Sequence, residues 1–319
     1  MHKPGATPII KTESIMKKAV LLMIFLVTIP GWVSSCKKEA KYNALIITGQ
    51  NNAHDWTISS PALKKILEST NLFSVEIATT PEKGADMSRF TPDFSKFDLV
   101  VLDYDGDLWP ETTRSAFVGF VKNGGGVVVY HAANNPFPDW KEFNEITGLG
   151  GWGNRTEKNG PYVYYKNDSL VRDDSPGRGG SHGPQHKYLI ETRHAEHPIM
   201  KGLPAKWMHT KDELYQELRG PAKNLDILAT AYADTTWGGT GRDEPVLFTI
   251  TYGKGRIFHT VLGHVGKNTS GYPAIRCAGF ITTLKRGAEW AACGQVTQKV
   301  PSEFPDSLNT VEWSAYSPL

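Results

Sequence analysis

The hydrophobic pattern alternates between short apolar runs and segments with helical spacing. The runs, which are typical of buried strands, lie at 44–48, 73–78, 99–102, 127–130, 187–192, 226–231, 245–251 and 256–261. Helical spacing of apolar residues predicts helices at 59–69, 111–122, 139–147 and 273–292. Strands that alternate with helices predict a single α/β domain. We expect an open, mostly parallel sheet with helices on both faces and a hairpin near the C-terminus.

Residues 148–186 break this pattern. They are rich in Gly, Asp, Arg and Pro and show no clear strand or helix periodicity. A stretch of this length without periodicity is usually a functional loop or a mobile insertion. We expect it to form a lid over a binding site, with Trp152 and His182 reaching inward.

A charged segment and a short apolar run precede the first predicted strand. Lys17 and Lys18 are followed by the run 19–29, which is too short to span a bilayer. Two serines then stand directly before Cys36, as in the bacterial lipoprotein signal, where the cysteine is lipidated and becomes the new N-terminus. We therefore expect a protein of the cell envelope that is held to a bacterial membrane by its lipid alone. An ordinary cleaved signal peptide is the alternative.

These features divide the chain into four parts. We expect a signal region at 1–35, a lipidated tether at 36–42, a folded domain at 43–293 and a C-terminal tail at 294–319. Because a good signal begins at Met16, residues 1–15 are expected to be an upstream extension from a misassigned start.

Composition and charge exclude several classes of protein. Apolar residues make up 39% and charged residues 21% of the chain, which is enough for a core and excludes intrinsic disorder. The net charge is +2, and residues 1–35 carry four lysines against one glutamate, so the remainder has 2 − 3 = −1. A near-neutral body offers no basic surface for nucleic acid. The G-x-G-x-x-G match at 148–153 follows a predicted helix and not a strand, so no nucleotide cofactor is expected.

Polar and aromatic side chains cluster around the ends of the predicted strands. In an open α/β sheet, ligands bind beyond the carboxyl ends of the strands. Amides and carboxylates there can bind sugar hydroxyls, and indole faces can pack against the C–H groups of a sugar ring. The candidates are Asn52, His54, Trp56, Asp103, Trp109, His131, Asp212, Glu213 and His264.

Five segments carry a resemblance to a known family: Ile46–Asn52, Gly124–Ala133, Asp212–Tyr215, Tyr252–His264 and Arg286–Ala292. By their order and spacing the chain resembles the ThuA-like (trehalose utilisation) family, whose fold is similar to the flavodoxin-like fold of class I glutamine amidotransferases. The resemblance implies a role in carbohydrate use, often beside oxidoreductases that make 3-keto sugars. The amidotransferases place a cysteine nucleophile after a central strand, where this chain has His131, so glutamine hydrolysis is not expected.

We expect an enzyme that cleaves or rearranges a small glycoside or 3-keto-sugar by general acid/base catalysis. His131 and Glu213 are the predicted proton-transfer groups, because burial and neighbours can set their pKa values apart. His264 is expected to assist them or to orient the substrate. The expected substrate-binding residues are Asn52, His54, Asp103 and Asp212 for hydroxyls, Trp56 or Trp109 for the ring, and Trp152 and His182 from the lid.

Three alternatives remain open at this point. The same residues would serve a non-catalytic sugar-binding lipoprotein, and a scaffold with a vestigial pocket is the second alternative. No metal site is assigned, but a divalent metal held by His131, Glu213 and His264 is the third. The expected partners are a small carbohydrate and, through the lipid anchor only, a membrane.

Overall fold

An 11-stranded mixed sheet forms the centre of the computed structural model, which describes residues 5, 40–267 and 270–316. The strands are β1 (Tyr42–Thr48), β2 (Phe73–Thr79), β3 (Leu99–Leu102), β4 (Gly126–Tyr130), β5 (Tyr162–Lys166), β6 (Ser169–Asp173), β7 (Ser181–His182), β8 (His186–Thr192), β9 (Lys206–Asp212), β10 (Tyr215–Gln216), β11 (Leu225–Tyr232), β12 (Asp243–Tyr252) and β13 (Gly255–Thr260). The helices are α1 (Trp56–Glu68), α2 (Glu111–Lys122), α3 (Lys141–Thr147), α4 (Pro273–Arg276) and α5 (Ala278–Cys293).

The sheet has a parallel half and an antiparallel half. Its strand order is β2-β1-β3-β4-β13-β12-β11-β8-β9, and β5 joins it through β12 and pairs with β6. The pairs from β2 to β13 are parallel, and those from β13 to β9 are antiparallel. β7 and β10 form a separate two-stranded sheet. The predicted α/β class with an open sheet is confirmed.

The parallel half forms where the apolar runs predicted strands. β3 is buried along its whole length and β4 likewise, as strands covered on both faces must be. α1 and α5 pack against each other and against this half of the sheet, while α2 and α3 pack against β13. Because these strands pair in parallel, the carboxyl ends of β1, β4 and β13 lie at one edge of the sheet.

The stretch 148–186 is more ordered than its sequence indicates. It contains the hairpin β5–β6 and strand β7, so the expectation of a long irregular loop is wrong for much of it. Its tyrosines are buried beneath arginines: Arg219 lies 3.8 Å from the ring centre of Tyr162, and Arg242 lies 4.2 Å from that of Tyr164. Such cation–π contacts stabilise β5, which the polar sequence around it makes difficult to recognise as a strand.

The segment that follows α5 packs on the folded domain. The amide of Ala278 donates to the carbonyl oxygen of Val311, and the amide of Met208 donates to that of Asp306. Cys36, the predicted lipidation site, lies outside the described residues. Within the described ranges, no helix has both the length and the apolar character needed to cross a bilayer.

Candidate functional site

Three histidines and one glutamate meet at the edge of the sheet. His54 follows β1, His131 follows β4, His264 follows β13, and Glu213 follows β9 directly. One ligand atom from each lies within 4.8 Å of the other three, and all four residues are buried. We call these four residues the His/Glu cluster. The structure therefore brings together His131, Glu213 and His264, which the sequence proposed as catalytic, and adds His54.

The distances within the His/Glu cluster are short. His131 Nε2 lies 3.1 Å from His54 Nε2 and 3.2 Å from His264 Nδ1. Glu213 Oε2 lies 3.1 Å from His264 Nδ1, 3.6 Å from His131 Nε2 and 3.7 Å from His54 Nε2. Zinc bonds of about 2.0–2.1 Å in tetrahedral geometry place ligand atoms ~3.3 Å apart. The observed separations have the size of such a site.

Hydrogen bonds fix which nitrogen of two rings points into the cluster. His131 Nδ1 lies 2.6 Å from the carbonyl oxygen of Val261, and His54 Nδ1 lies 3.0 Å from Asn51 Oδ1. Since these oxygens only accept, Nδ1 of each ring donates to its oxygen, and Nε2 of each ring is turned toward the cluster. Metal-binding histidines are oriented in this way, with one ring nitrogen hydrogen-bonded to the protein and the other directed at the metal site.

The charges of the cluster also suit a cation. Burial lowers the pKa of His54 to about 4, even though Glu213 opposes the change, so this imidazole is neutral at neutral pH. Burial alone would raise the pKa of Glu213, but the three histidines hold it well below its usual range. The cluster thus combines neutral imidazole with a carboxylate, the donor set that zinc takes in proteins.

His131 is held at a sharp turn. It is the first residue of a 3-10 helix at the end of β4 and has φ of +46°, which is uncommon for a residue other than glycine. The Tyr215 hydroxyl lies 3.1 Å from the same Nε2 that faces the cluster. Unusual backbone of this kind is concentrated at functional sites.

A pocket of about 370 Å³ opens beside the cluster. Five residues expected from the sequence line it, and its size lies in the range of small-ligand sites. They are Asn52, His54, Trp152, His182 and Glu213, and three further polar residues, Asp105, Asn135 and Tyr215, line it as well. A larger pocket of about 630 Å³, around Phe94 and Phe120, contains no member of the cluster.

Sequence reasoning missed three of these residues as site residues. Tyr215 stands two positions after Glu213, and Asp105 two positions after Asp103, so each was visible within a segment that the sequence singled out. Asn135 follows the 3-10 helix that begins at His131. The strand-end rule could have found all three, because it applies to every residue of these turns and not to one residue in each.

Four expected substrate-binding residues do not line the pocket. Trp109 is buried among aromatic rings of the core, with Phe117 at 5.6 Å between ring centres. Trp56 lies half-buried in the first turn of α1. Asp103 is buried and accepts hydrogen bonds from the hydroxyls of Ser59 and Ser60 on α1. These positions correct the expectation of sugar contacts there, and the fourth residue is Asp212.

Asp212 lies behind the cluster and is completely buried. Its carboxylate accepts from the amides of Glu213 and Gly263 and from His209 Nε2, at 2.7, 2.8 and 2.7 Å. Burial would lower the pKa of His209, but Cys277 and Asp212 raise it to about 10. Because its oxygens are already bonded inside the protein, Asp212 has a structural role in place of the expected contact with a sugar hydroxyl.

Asp103 predicts a pH dependence of stability that Asp103→Asn removes. Burial raises its pKa from 3.8 to about 6, although Ser59 and Ser60 oppose the change. Since the folded state holds the proton more tightly, this stabilisation is complete below the unfolded pKa and is lost as the pH rises through about 6. The difference corresponds to about 3 kcal/mol. Urea unfolding between about pH 4 and pH 8 should show wild-type stability falling relative to the variant, and parallel curves would contradict this.

The comparisons with known proteins agree with the fold. The ThuA family model, described as trehalose utilisation, matches residues 43–291. The chain is similar to the crystal structure of a ThuA-like protein from Parabacteroides merdae, with 54% identity, a TM-score of 0.84, and coverage of 86% of this chain and 99% of that one. A ThuA-like protein from Bacteroides uniformis shares the fold at 19% identity and a TM-score of 0.52, with coverage of 85% and 99%. No curated protein sequence matches significantly. The chain belongs to the ThuA-like family, which suggests a carbohydrate-related role.

Proposed function

We propose that this protein is an enzyme that binds a divalent cation, best matched by zinc, and uses it to cleave or rearrange a small glycoside or 3-keto-sugar. The observation that carries the proposal is a set of three imidazole nitrogens and one carboxylate oxygen that all lie within 4.8 Å of one another, with five of their six separations at 3.1–3.7 Å. The family membership supports the substrate class. His131 and Glu213, first considered as proton-transfer groups, are here assigned as ligands.

Polar groups in the pocket beside the cluster support the binding of a sugar there. A cation held by the cluster would polarise an oxygen of the substrate and stabilise the negative charge that develops on it. Asn52 and Asn135 line the wall and offer amides to hydroxyl groups, and Trp152 offers an indole to the C–H groups of a ring. His182 Nε2 lies 3.8 Å from Glu213 Oε1, so it connects the pocket wall with the cluster.

Asp105 is suited to proton transfer once Glu213 is a ligand, and Tyr215 is suited to hydrogen bonding with the substrate. Asp105 lines the pocket, and burial raises its pKa although Asn135 and Arg155 oppose the change. A carboxyl group with a raised pKa is a better acid or base near neutral pH. Tyr215 contributes a hydroxyl that lies 3.1 Å from the ligand nitrogen of His131.

Zinc binding by the purified chain tests the proposal first. After treatment with a chelator, zinc at about 1,000 times its Kd should raise the free energy of unfolding by ~4.1 kcal/mol, measured by thermal unfolding. Disaccharides and their 3-keto forms are then added to the zinc-loaded protein, and their consumption is followed by chromatography. Stabilisation by a sugar without consumption would favour the non-catalytic binding protein. The absence of any response to zinc would contradict the metal site.

The envelope location is a separate part of the proposal. It is supported by the sequence around Cys36, where small residues follow a short apolar run. Lipidation at this cysteine would hold the enzyme at a bacterial membrane. Cys36→Ser should move the protein from the membrane fraction to the soluble fraction when the cells are fractionated. An unchanged distribution would contradict the anchor.

A further inference from the structure

We infer that Asp212 is a positioning residue of this site, whose buried carboxylate sets the separation of Glu213 and His264 and thereby the size of the cation site. The inference deepens the proposed function and relies on it for its metal-binding readout. Asp212 touches neither the pocket nor a ligand atom of the cluster. Its effect therefore passes through the backbone of the two residues that it holds.

The hydrogen bonds of this one carboxylate join two distant parts of the fold. Oδ1 accepts from the amide of Glu213 at 2.7 Å and from the amide of His264 at 3.2 Å. Oδ2 accepts from the amide of Gly263 at 2.8 Å. Asp212 ends β9, whereas Gly263 and His264 follow β13, and β12, β11 and β8 lie between these strands in the sheet. Because β9 and β13 are not neighbours in the sheet, no backbone pairing joins them, and the carboxylate of Asp212 provides the connection instead.

His209 completes the arrangement. Its Nε2 lies 2.7 Å from Asp212 Oδ2, and both side chains are completely buried. A charged donor beside a buried carboxylate makes the hydrogen bond shorter and stronger than a neutral one. The carboxylate is therefore fixed from behind by His209 while it holds Glu213 and His264 in front, where Glu213 Oε2 and His264 Nδ1 lie 3.1 Å apart.

The variant Asp212→Asn disturbs this arrangement with little change in volume. An amide has one accepting oxygen, and an NH₂ group in the place of Oδ2 would face two donors, the Gly263 amide and His209 Nε2. The unpaired donors then force the turn at Gly263 to move, and His264 moves with it. Because partners beyond the direct ligands typically control metal affinity by 10–100-fold, we expect a zinc Kd that is weaker by about that factor.

Glu289 provides a matched control. It is a buried glutamate near the C-terminal end of α5. It accepts hydrogen bonds from the amides of Thr297 and Gln298 and from the Thr297 hydroxyl. Glu289→Gln also replaces a buried, hydrogen-bonded carboxylate by an amide, but it makes no contact with the His/Glu cluster. We expect lower stability and a zinc Kd within about twofold of wild type.

The experiment compares the wild-type chain, Asp212→Asn and Glu289→Gln. Zinc Kd is measured by competition with a chromophoric chelator, and the absorption of the cobalt-substituted protein at saturation reports ligand geometry. We expect Asp212→Asn alone to weaken zinc binding and to change the cobalt spectrum. A wild-type Kd and spectrum in Asp212→Asn would overturn the inference, as would equal weakening in Glu289→Gln, because a general loss of stability would then explain both.

Two further measurements separate the possible failures. If wild type binds no zinc, the proposed function fails, and a crystal structure of Asp212→Asn still decides the inference, since an unchanged 3.1 Å between Glu213 Oε2 and His264 Nδ1 would overturn it. If Asp212→Asn does not fold, His209→Gln takes its place, because glutamine keeps a donor but loses the charge. It should weaken zinc binding in the same direction by a smaller factor, and wild-type affinity would overturn the inference.

Discussion

Glu213→Gln is expected to weaken zinc binding by more than about 100-fold, beyond the usual effect of residues that only support the ligands. The change removes the carboxylate charge from a site whose other three donors are imidazoles. A neutral amide oxygen is a weaker donor for zinc, and its NH₂ group would meet His264 Nδ1 or His54 Nε2. Competition with a chromophoric chelator measures the loss, and turnover of any sugar that the wild-type enzyme consumes should fall with it.

Glu217→Gln is the control for this prediction. Glu217 lies four residues further along the same segment, and its Oε2 accepts from the Ser181 hydroxyl at 2.6 Å. It does not belong to the His/Glu cluster, so its replacement should leave the zinc Kd unchanged. Zinc binding by Glu213→Gln at the wild-type affinity would show that the carboxylate is not a ligand and would contradict the proposed site.

The parallel half of the fold could be predicted from the sequence because its strands are buried on both faces. The runs at 99–102 and 127–130 match β3 and β4 closely, since such strands need unbroken apolar sequence. The antiparallel half was less visible. β9 was not predicted because only some of its residues face the core, and β5 because Tyr162 and Tyr164 pack beneath arginines that lie far away in the chain.

The location of the site could be predicted from the sequence, but the arrangement of its side chains could not. The rule that ligands bind beyond the carboxyl ends of strands indicated His54, His131 and His264, because β1, β4 and β13 lie in the same parallel half. The orientation of the rings depends on Val261 and Asn51, which no spacing reveals.

The roles of neighbouring carboxylates were equally hidden. Asp212 and Glu213 are adjacent in sequence, yet one holds the backbone behind the cluster and the other faces the histidines. Both were expected in the site, but adjacent residues at a strand end point to opposite sides, and only Glu213 lines the pocket. Asp103 was also expected in the site, whereas the pocket is lined by Asp105, two positions later.

Tyr215→Phe is expected to lower kcat by about 10²–10³-fold while zinc still binds, because the hydroxyl is placed to donate a hydrogen bond to an oxygen of the substrate. Tyr215 lines the pocket, and its hydroxyl lies 3.1 Å from His131 Nε2. Burial raises the pKa of Tyr215 well above its usual value, so it remains a hydrogen-bond donor at neutral pH. When the lone pair of His131 is used by a cation, that donor is free to bind an oxygen of the sugar.

Phenylalanine preserves the packing of the ring, which lies 4.5 Å from His131 and 4.6 Å from Trp152 between centres. Tyr188→Phe is the control: its hydroxyl is buried without a hydrogen-bond partner among the described residues, it does not line the pocket, and its loss should leave kcat unchanged. Steady-state kinetics with the sugar identified for wild type, beside a zinc titration, separates the outcomes. Wild-type kcat in Tyr215→Phe would exclude its hydroxyl from the reaction. A parallel loss of zinc would assign the hydroxyl to metal binding, because a group that acts only on the substrate leaves the ligand set intact.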